Sequence, residues 1–325
     1  MHILVTGGAG FIGSNLVESL LDDPRVTKVR VLDNLATGSL SNIKSFLSHS
    51  KFEFIEGDIR DYDTCMQACE KIDLISHQAA LGSVPRSIKD PLTTNAVNIT
   101  GTLNVFTAAK EQNVRRIVFA ASSSTYGDHP GLPKVEHLIG RPLSPYAVTK
   151  YVNELYAKVY ADMYELEYIG LRYFNIFGPR QNPNGPYAAV IPLFAEAVLK
   201  GISPIINGDG SHSRDFTFVD NAVAANILSL FTDNEKAVNE IYNIACGTQT
   251  SLLELFNFLV KEGDSELKPV HGPDRKGDVK HSLADIGKAH DLLGYSPSVT
   301  VKEGLKKTLQ WYRLKNQAGG QTANN

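Results

Sequence analysis

The chain has 325 residues, which at about 150 residues per domain implies two domains, or one with an appended lobe. Apolar residues make up 42% and charged residues 21%, an ordinary globular mix that excludes global disorder. A net charge of −3 leaves no bulk basic field for nucleic acid or an anionic membrane, so any anion site must be local.

Three cysteines, Cys65, Cys69 and Cys246, are too few and odd in number for a disulfide framework. Cys65 and Cys69 have helical spacing but no His or Cys cluster to complete a zinc site, so no metal is expected. No basic leader precedes the short apolar run Ile3 to Val5. No stretch approaches the roughly 20 apolar residues of a membrane span. A soluble, cytoplasmic protein with reduced thiols is expected, without nucleic-acid or membrane partners.

In chain order, residues 2–6 read as a strand, 11–21 as a helix, and 28–32 and 52–56 as strands. Residues 63–71 read as a helix, 74–78 as a strand, 93–112 as a long helix and 116–120 as a strand. The clearest helix is 144–164, where Ser144 can cap and Pro145 suits the first turn. Residues 168–173 give another strand. Pro179, Pro183, Gly185 and Pro186 then mark a loop-rich region. A helix over 188–200 follows, and strand and helix alternate to about Lys261. A polar turn region, 269–280, precedes a short helical end, and 317–325 reads as a frayed tail. Strands separated by helices imply parallel pairing with right-handed crossovers. The fold class is therefore α/β: a Rossmann-like doubly wound parallel sheet with a smaller, interleaved C-terminal α/β substrate lobe. The expected division is 1–175, with returning segments near 214–245, then 176–314 for the lobe and 315–325 for the tail.

Gly7, Gly10 and Gly13 form Gly-x-x-Gly-x-x-Gly between the first strand and the first helix. Glycines there permit a tight turn, close approach of backbone to a pyrophosphate, and tight helix–strand packing. The helix start, Phe11 and Ile12, offers free N–H groups and partial positive charge to phosphates. Asp33 closes the second strand twenty residues after Gly13, where a carboxylate meets an adenosine ribose, with Asn34 next to it. That carboxylate repels a 2′-phosphate, so NAD is preferred to NADP. Asp58-Ile59 either flanks the adenine or holds an ordinary turn.

Tyr146 and Lys150 are four apart on the clear helix and share a face. Ser122, Ser123 and Ser124 stand at the carboxyl end of a strand, the edge where ligands sit in an open parallel sheet. Taking hydride from a carbinol requires loss of the hydroxyl proton. A phenol with pKa near 10 must be moved about three units to act at pH 7, which takes roughly 4 kcal/mol. One ammonium about 4 Å away at an effective dielectric near 20 supplies about that much. A serine hydroxyl can relay the proton.

Gly7–Gly13, the Ser122 segment and Tyr146-x-x-x-Lys150 together resemble the extended short-chain dehydrogenase/reductase family, over nearly the whole chain to about Tyr312. The runs Leu171–Gly178, Asn207–Gly210 and Ser213–Phe216 resemble nucleotide-sugar 4-epimerases. The runs Ser122–Glu136, Arg180–Pro192 and Gly277–Ala284 are most similar to bacterial UDP-N-acetylglucosamine 4-epimerases of surface-polysaccharide pathways. The resemblance implies Tyr146 as base, Lys150 as its electrostatic partner and a ribose ligand, and Ser122 as the catalytic serine. It places Gln78, Ala79, Ala80, Asn98 and Tyr173 along the NAD cleft. It assigns Asn175 to the sugar nucleotide, Arg214 and Arg275 to the diphosphate, and Asp278 to the ribose or uridine. Gly82, Ser83, Ser123, Ser124, Ala189, Val190 and Asn207 fall with the sugar pocket. Ser282 stands at a gate position that is tyrosine in relatives restricted to UDP-glucose and UDP-galactose, and a small residue there leaves room for a 2-acetamido group. Related 4,6-dehydratases carry an acidic pair where this chain has Ser123 and Ser124, which counts against dehydration. The expected activity is interconversion of UDP-GlcNAc and UDP-GalNAc through a 4-keto sugar with retained NAD. Alternatives are UDP-glucuronate or UDP-glucose 4-epimerase and, outside enzymes, an NAD-dependent sensor or scaffold. The resemblance also implies a homodimer through the helices 93–112 and 144–164, although a single core-facing stripe would look the same.

Overall fold

The computed structural model describes residues 1–183, 188–273 and 280–322, with side chains to 317. Arg275 and Asp278 lie outside the described residues. Six strands open the sheet: β1 (His2–Thr6), β2 (Lys28–Asp33), β3 (Phe52–Glu56), β4 (Leu74–His77), β5 (Arg116–Ser122) and β6 (Glu167–Tyr173). The strand Glu240–Ile244 returns from the C-terminal part and adds itself to β6. From that edge the order runs Glu240–Ile244, β6, β5, β4, β1, β2, β3, with parallel pairing throughout. The order reverses between β1 and β4, and there the crossovers diverge and leave a crevice at the carboxyl ends of the strands. β1 and β4 are almost wholly buried because helices cover both faces.

Apolar residues flank the sheet in two layers. On one side Leu16, Val17 and Leu20 of the helix Phe11–Asp22 meet Val29 and Val31 of β2, joined by Ala222 and Ala225 of the helix Val219–Phe231. On the other, Phe106 packs edge-on against Phe119 and Tyr160, with ring centroids 5.9 and 5.6 Å apart. The C-terminal part packs the helices Val190–Lys200, Leu252–Glu262 and Val301–Thr322 together. Three two-stranded pairs complete it: 176–177 with 217–218, 213–214 with 250–251, and 205–207 with 270–272.

Two expectations differ from the structure. The long helix over 93–112 is interrupted: Pro91–Asn95 is followed by a π-helical segment, Ala96–Gly101, before Thr102–Glu111. The wider turn places Asn98, which is fully buried, against the Leu81 backbone. The final helix is also not short, running from Val301 to Thr322 through the start of the expected tail. Leu305, Leu309 and Tyr312 bury its inner face.

Candidate active site

The crevice holds a cleft of about 830 Å³. Its wall brings together Gly7, Gly10, Phe11, Ile12 and Gly13 with Asp33, Asn34, Asp58 and Ile59. Gln78, Ala79, Ala80, Gly82 and Ser83 follow, and then Ser122, Ser123, Ser124, Tyr146, Lys150, Tyr173, Asn175 and Ala189. Residues drawn from widely separated stretches of sequence thus face one space. Asn98, Val190, Asn207, Arg214 and Ser282 are not part of that wall among the described residues.

The glycine turn is shaped for close approach. Gly7 has φ +70°, and a Cβ on it would lie 2.7 Å from the Ala79 nitrogen. A Cβ on Gly13 would lie 2.2 Å from the Gly7 carbonyl oxygen. Gly10 caps the following helix without a side chain, so no side-chain oxygen occupies the first-turn N–H groups. Asp33 Oδ2 accepts from Ala9 N–H at 2.9 Å and Oδ1 from Leu35 N–H at 2.8 Å. A carboxylate offers about four acceptor positions, so two remain for a ribose diol. Burial pushes the Asp33 carboxyl above its ordinary value, partly offset by these two N–H bonds. The Arg60 guanidinium, at 2.7 Å, pulls Asp58 down to about 2. Asn34 Nδ2 also donates to Asp58, at 2.8 Å. The donor set and the glycine cradle therefore fit a dinucleotide with a free 2′-hydroxyl.

At the opposite end, Ser122 terminates β5 and its Oγ caps the turn Ser123–Tyr126, accepting from Ser124 N–H at 3.1 Å. Tyr146 hydrogen-bonds Ser122. Burial holds the Tyr146 phenol above its ordinary value, and the Ser122 contact works against that. Lys150 is buried and its Nζ donates to the Ala120 carbonyl at 2.7 Å. Burial brings its ammonium down to about 8, while Glu154, one turn further along the helix, works the other way. Sequence arithmetic made the lysine alone sufficient to bring the phenol near neutrality. In the protein without ligand it does not, because desolvation of the phenol dominates. The triad Ser122, Tyr146 and Lys150 is nevertheless assembled in one wall.

Asn98 does not present its amide to the cleft. It accepts from Leu81 N–H at 2.8 Å and donates to Thr149 Oγ1 at 3.1 Å, fixing the loop that carries Gly82 and Ser83. Ser83 sits at φ 148° and caps the next helix, accepting from Arg86 N–H at 3.2 Å. Asn175, at φ 41°, donates to the Asp215 carbonyl at 2.9 Å. Ser282 lies just behind, its Oγ 3.5 Å from Asn175 Nδ2. Arg214 donates to the carbonyls of Ser213 and Lys280, both at 3.0 Å. Asn207 belongs to the strand Ile205–Asn207 and Val190 begins the helix Val190–Lys200, both beyond the cleft wall.

Several supporting residues escaped sequence reasoning. Glu154 and Arg172 form a buried two-point ion pair, 2.9 and 2.7 Å. Arg172 lies 4.8 Å from the Tyr126 ring centroid, and Tyr126 donates to Asn243 Oδ1 at 2.6 Å. Asp215 is fully buried and its carboxylate accepts from Cys246, Gly247 and Ala284 N–H groups. The spacing of Glu154 four residues beyond Lys150 was the one signal available in the sequence.

The fold is shared with known proteins. Residues 3–245 match the NAD dependent epimerase/dehydratase family. The UDP-glucose 4-epimerase of Mycolicibacterium smegmatis is 38% identical over 319 residues, 98% of this chain and 100% of that protein. The structure of a UDP-N-acetylglucosamine 4-epimerase from Methanobrevibacter ruminantium M1, in complex with UDP-N-acetylmuramic acid, superposes with TM-score 0.91 at 40% identity, covering 97% of this chain and 98% of that one. A UDP-glucuronic acid 4-epimerase from Bacillus cereus, in complex with UDP-glucuronic acid and NAD, gives 0.90 at 32% identity, covering 97% and 100%. The chain belongs to the NAD-dependent epimerase/dehydratase family. Within it, this is an NAD-dependent nucleotide-sugar 4-epimerase, with NAD as its cofactor.

Proposed function

We propose that the protein interconverts UDP-GlcNAc and UDP-GalNAc. The observation that carries this reading is the composition of the wall near Tyr146, where Gly82, Ser83, Ser123, Ser124 and Ala189 are small and uncharged. An added Cβ at Gly82 would meet nothing within 4 Å, so the wall is open there. A uronate would need a cationic or hydroxyl-rich site near C6. Of the four described cations of the wall, Lys150 is bonded to Ala120, Arg60 to Asp58 and Arg180 to Glu18, and Lys315 lies over the Trp311 ring.

In this reading Tyr146 takes the proton from the sugar 4-hydroxyl oxygen and Ser122 bridges the two oxygens. Lys150 stabilises the phenolate and binds ribose hydroxyls. NAD, held by the glycine turn and Asp33, supplies the acceptor and donor of the C4 hydride and, when oxidised, a positive charge beside the phenol. Arg214 and Arg275 anchor the diphosphate, and Asp278 the ribose or uridine, so the sugar can turn while its nucleotide stays fixed. Asn175 and Ser282 bound the sugar from the lobe side.

We further propose a homodimer through the helix Pro145–Tyr164. Val148, Leu155, Val159 and Met163 expose 46, 48, 49 and 70% of their surface along one side of it, more apolar surface than a solvent-facing helix normally carries. Among the described residues no helix is long and apolar enough to cross a membrane.

Turnover on UDP-GlcNAc, UDP-glucose and UDP-glucuronate in one assay, following C4 inversion by proton NMR, tests the substrate reading. Preference for the N-acetylated sugar supports it; preference for the uronate rejects it.

A further inference from the structure

Behind the cleft wall lies a closed ring of four side chains. Asn226, fully buried on the helix Val219–Phe231, donates through Nδ2 to the Ala222 carbonyl at 2.8 Å and to Tyr173 Oη at 2.7 Å. Its Oδ1 accepts from Ser76 Oγ at 3.1 Å and from Gln78 Nε2 at 3.0 Å. Gln78 Nε2 also donates to Ser76 Oγ at 2.9 Å, and Tyr173 Oη donates to Gln78 Oε1 at 3.1 Å. Only Gln78 and Tyr173 of these four face the cleft.

One backbone atom sets the direction of every bond. A carbonyl oxygen can only accept, so the Asn226 atom beside Ala222 must be the nitrogen. The other end is then the oxygen, and it demands donors from Ser76 and Gln78. That fixes the Gln78 amide with both N–H groups turned into the ring. Its oxygen in turn demands the Tyr173 proton, while Tyr173 takes the second N–H of Asn226. Every donor is spent inside the protein, and what remains toward the cleft is the second lone pair of Gln78 Oε1 and the oxygen of Tyr173. Burial pushes the Tyr173 phenol up to about 12, so it stays neutral and its proton stays in the ring.

We propose that Asn226 is a positioning residue that makes the Gln78–Tyr173 wall accept hydrogen bonds only. The wall then selects a neutral donor, either an amide N–H or a hydroxyl, and repels phosphate and carboxylate. This rests on the reading of the cleft as the NAD site, where the nicotinamide carboxamide and the adjoining ribose carry such donors. It also leaves Tyr146 as the phenol of the wall with a mobile proton.

A double-mutant cycle on NAD affinity tests it, using Asn226→Ala, Tyr173→Phe and the pair. Each single change is expected to raise the Kd at least fivefold, with the pair no worse than the weaker-binding single. Asn226→Asp keeps the shape but has no N–H for Tyr173, so it should lose affinity as Asn226→Ala does. A residue that merely fills space would tolerate it. Repeating the cycle with the 3-acetylpyridine analogue, which lacks the carboxamide N–H, separates the two donors. An Asn226→Ala effect that vanishes there assigns the amide, and one that persists assigns a hydroxyl. Affinity within twofold of wild type for Asn226→Ala, or additive losses in the pair, overturns the proposal. A silent Tyr173→Phe beside a weakened Asn226→Ala rejects the placement of this wall at the cofactor, and the proposal with it.

Discussion

Replacing Lys150 with methionine removes the ammonium while keeping the length of the side chain. Burial already holds the Tyr146 phenol above its ordinary value, and the lowering contact within the protein is the Ser122 hydroxyl. For Tyr146 to act as the proposed base, positive charge must supply the rest of the descent toward neutrality. A unit charge about 4 Å away at an effective dielectric near 20 is worth roughly 4 kcal/mol, which corresponds to about a thousandfold in rate. Stability runs the other way. The Lys150 ammonium titrates at about 8, below the 10.5 of a free lysine. Keeping it charged at pH 7 therefore costs about 3 kcal/mol at 1.36 kcal/mol per unit. Losing the bond to Ala120 leaves a buried carbonyl unpaired, at a cost of about 1–3 kcal/mol, so the two changes nearly cancel. The unfolded chain binds the extra proton between pH 8 and 10.5, so wild-type stability should rise across that window and that of Lys150→Met should not. The expected outcome is a rate of C4 inversion down about a thousandfold, with an unchanged melting temperature at pH 7. Turnover within tenfold of wild type would refute the reasoning.

Gly13→Ala drives a Cβ to 2.2 Å from one backbone atom and 2.8 Å from another, neither of which can yield cheaply. At about 1–3 kcal/mol for overpacking, NAD retained through gel filtration should fall about tenfold or more, read by absorbance. His77 is buried between Thr6 and Thr102 and is pushed down to about 3. Its stabilising neutrality is lost as pH falls from 6.5 toward 3, by up to about 5 kcal/mol. Asp215, raised to about 6 by burial, acts oppositely and favours the folded state as pH falls from 6 toward 4. His77→Gln should therefore flatten the acid loss of urea midpoint between pH 6.5 and 4. Ser282→Tyr should suppress turnover of UDP-GlcNAc and UDP-GalNAc but spare UDP-glucose, and equal loss on all three rejects the gate. Leu155→Asp with Val159→Asp should give a monomer by light scattering if the exposed stripe is the dimer contact.

What the sequence disclosed and what it hid differ in physical range. The glycine turn, Asp33 and the pair Tyr146 and Lys150 are local: their spacing along one turn or one helix already determines which side chains meet. Ser122 is legible for the same reason, as the last residue of β5. Asn98 shows the limit. Its place along the cleft came from the resemblance, and the spacing of its helix gave no sign that the π-helical segment Ala96–Gly101 sets its amide against the Leu81 backbone. Nothing in the residue pattern announced that wider turn. The end of the chain failed through composition: Gln317 onward is polar and small, yet helix Val301–Thr322 continues because Leu305, Leu309 and Tyr312 hold it to the lobe. Asn226, Arg172 and Asp215 depend on partners far away in sequence, so only the folded chain reveals them.

With Tyr146 proposed as the base, those distant partners explain why two other buried phenols, Tyr173 in the wall and Tyr126 outside it, take no part. Tyr126 gives its proton to Asn243, and Tyr173 gives its proton to Gln78 while receiving one from Asn226. Burial pushes both phenols up to about 12, where neither can serve as a base near neutrality. Tyr146 has no amide partner; its bond is to a serine hydroxyl, which can accept and donate in the same geometry. A hydroxyl can reverse its direction when a proton moves, whereas an amide oxygen cannot donate and an amide nitrogen cannot accept. The choice of Asn or Gln behind two tyrosines and Ser beside the third is therefore a choice between fixed and reversible hydrogen-bond polarity. Replacing Ser122 with alanine should slow C4 inversion far more than it weakens NAD binding, because the reversible partner is lost while the cradle is untouched. Equal losses in both would mean that the serine serves binding and that the proton takes another route.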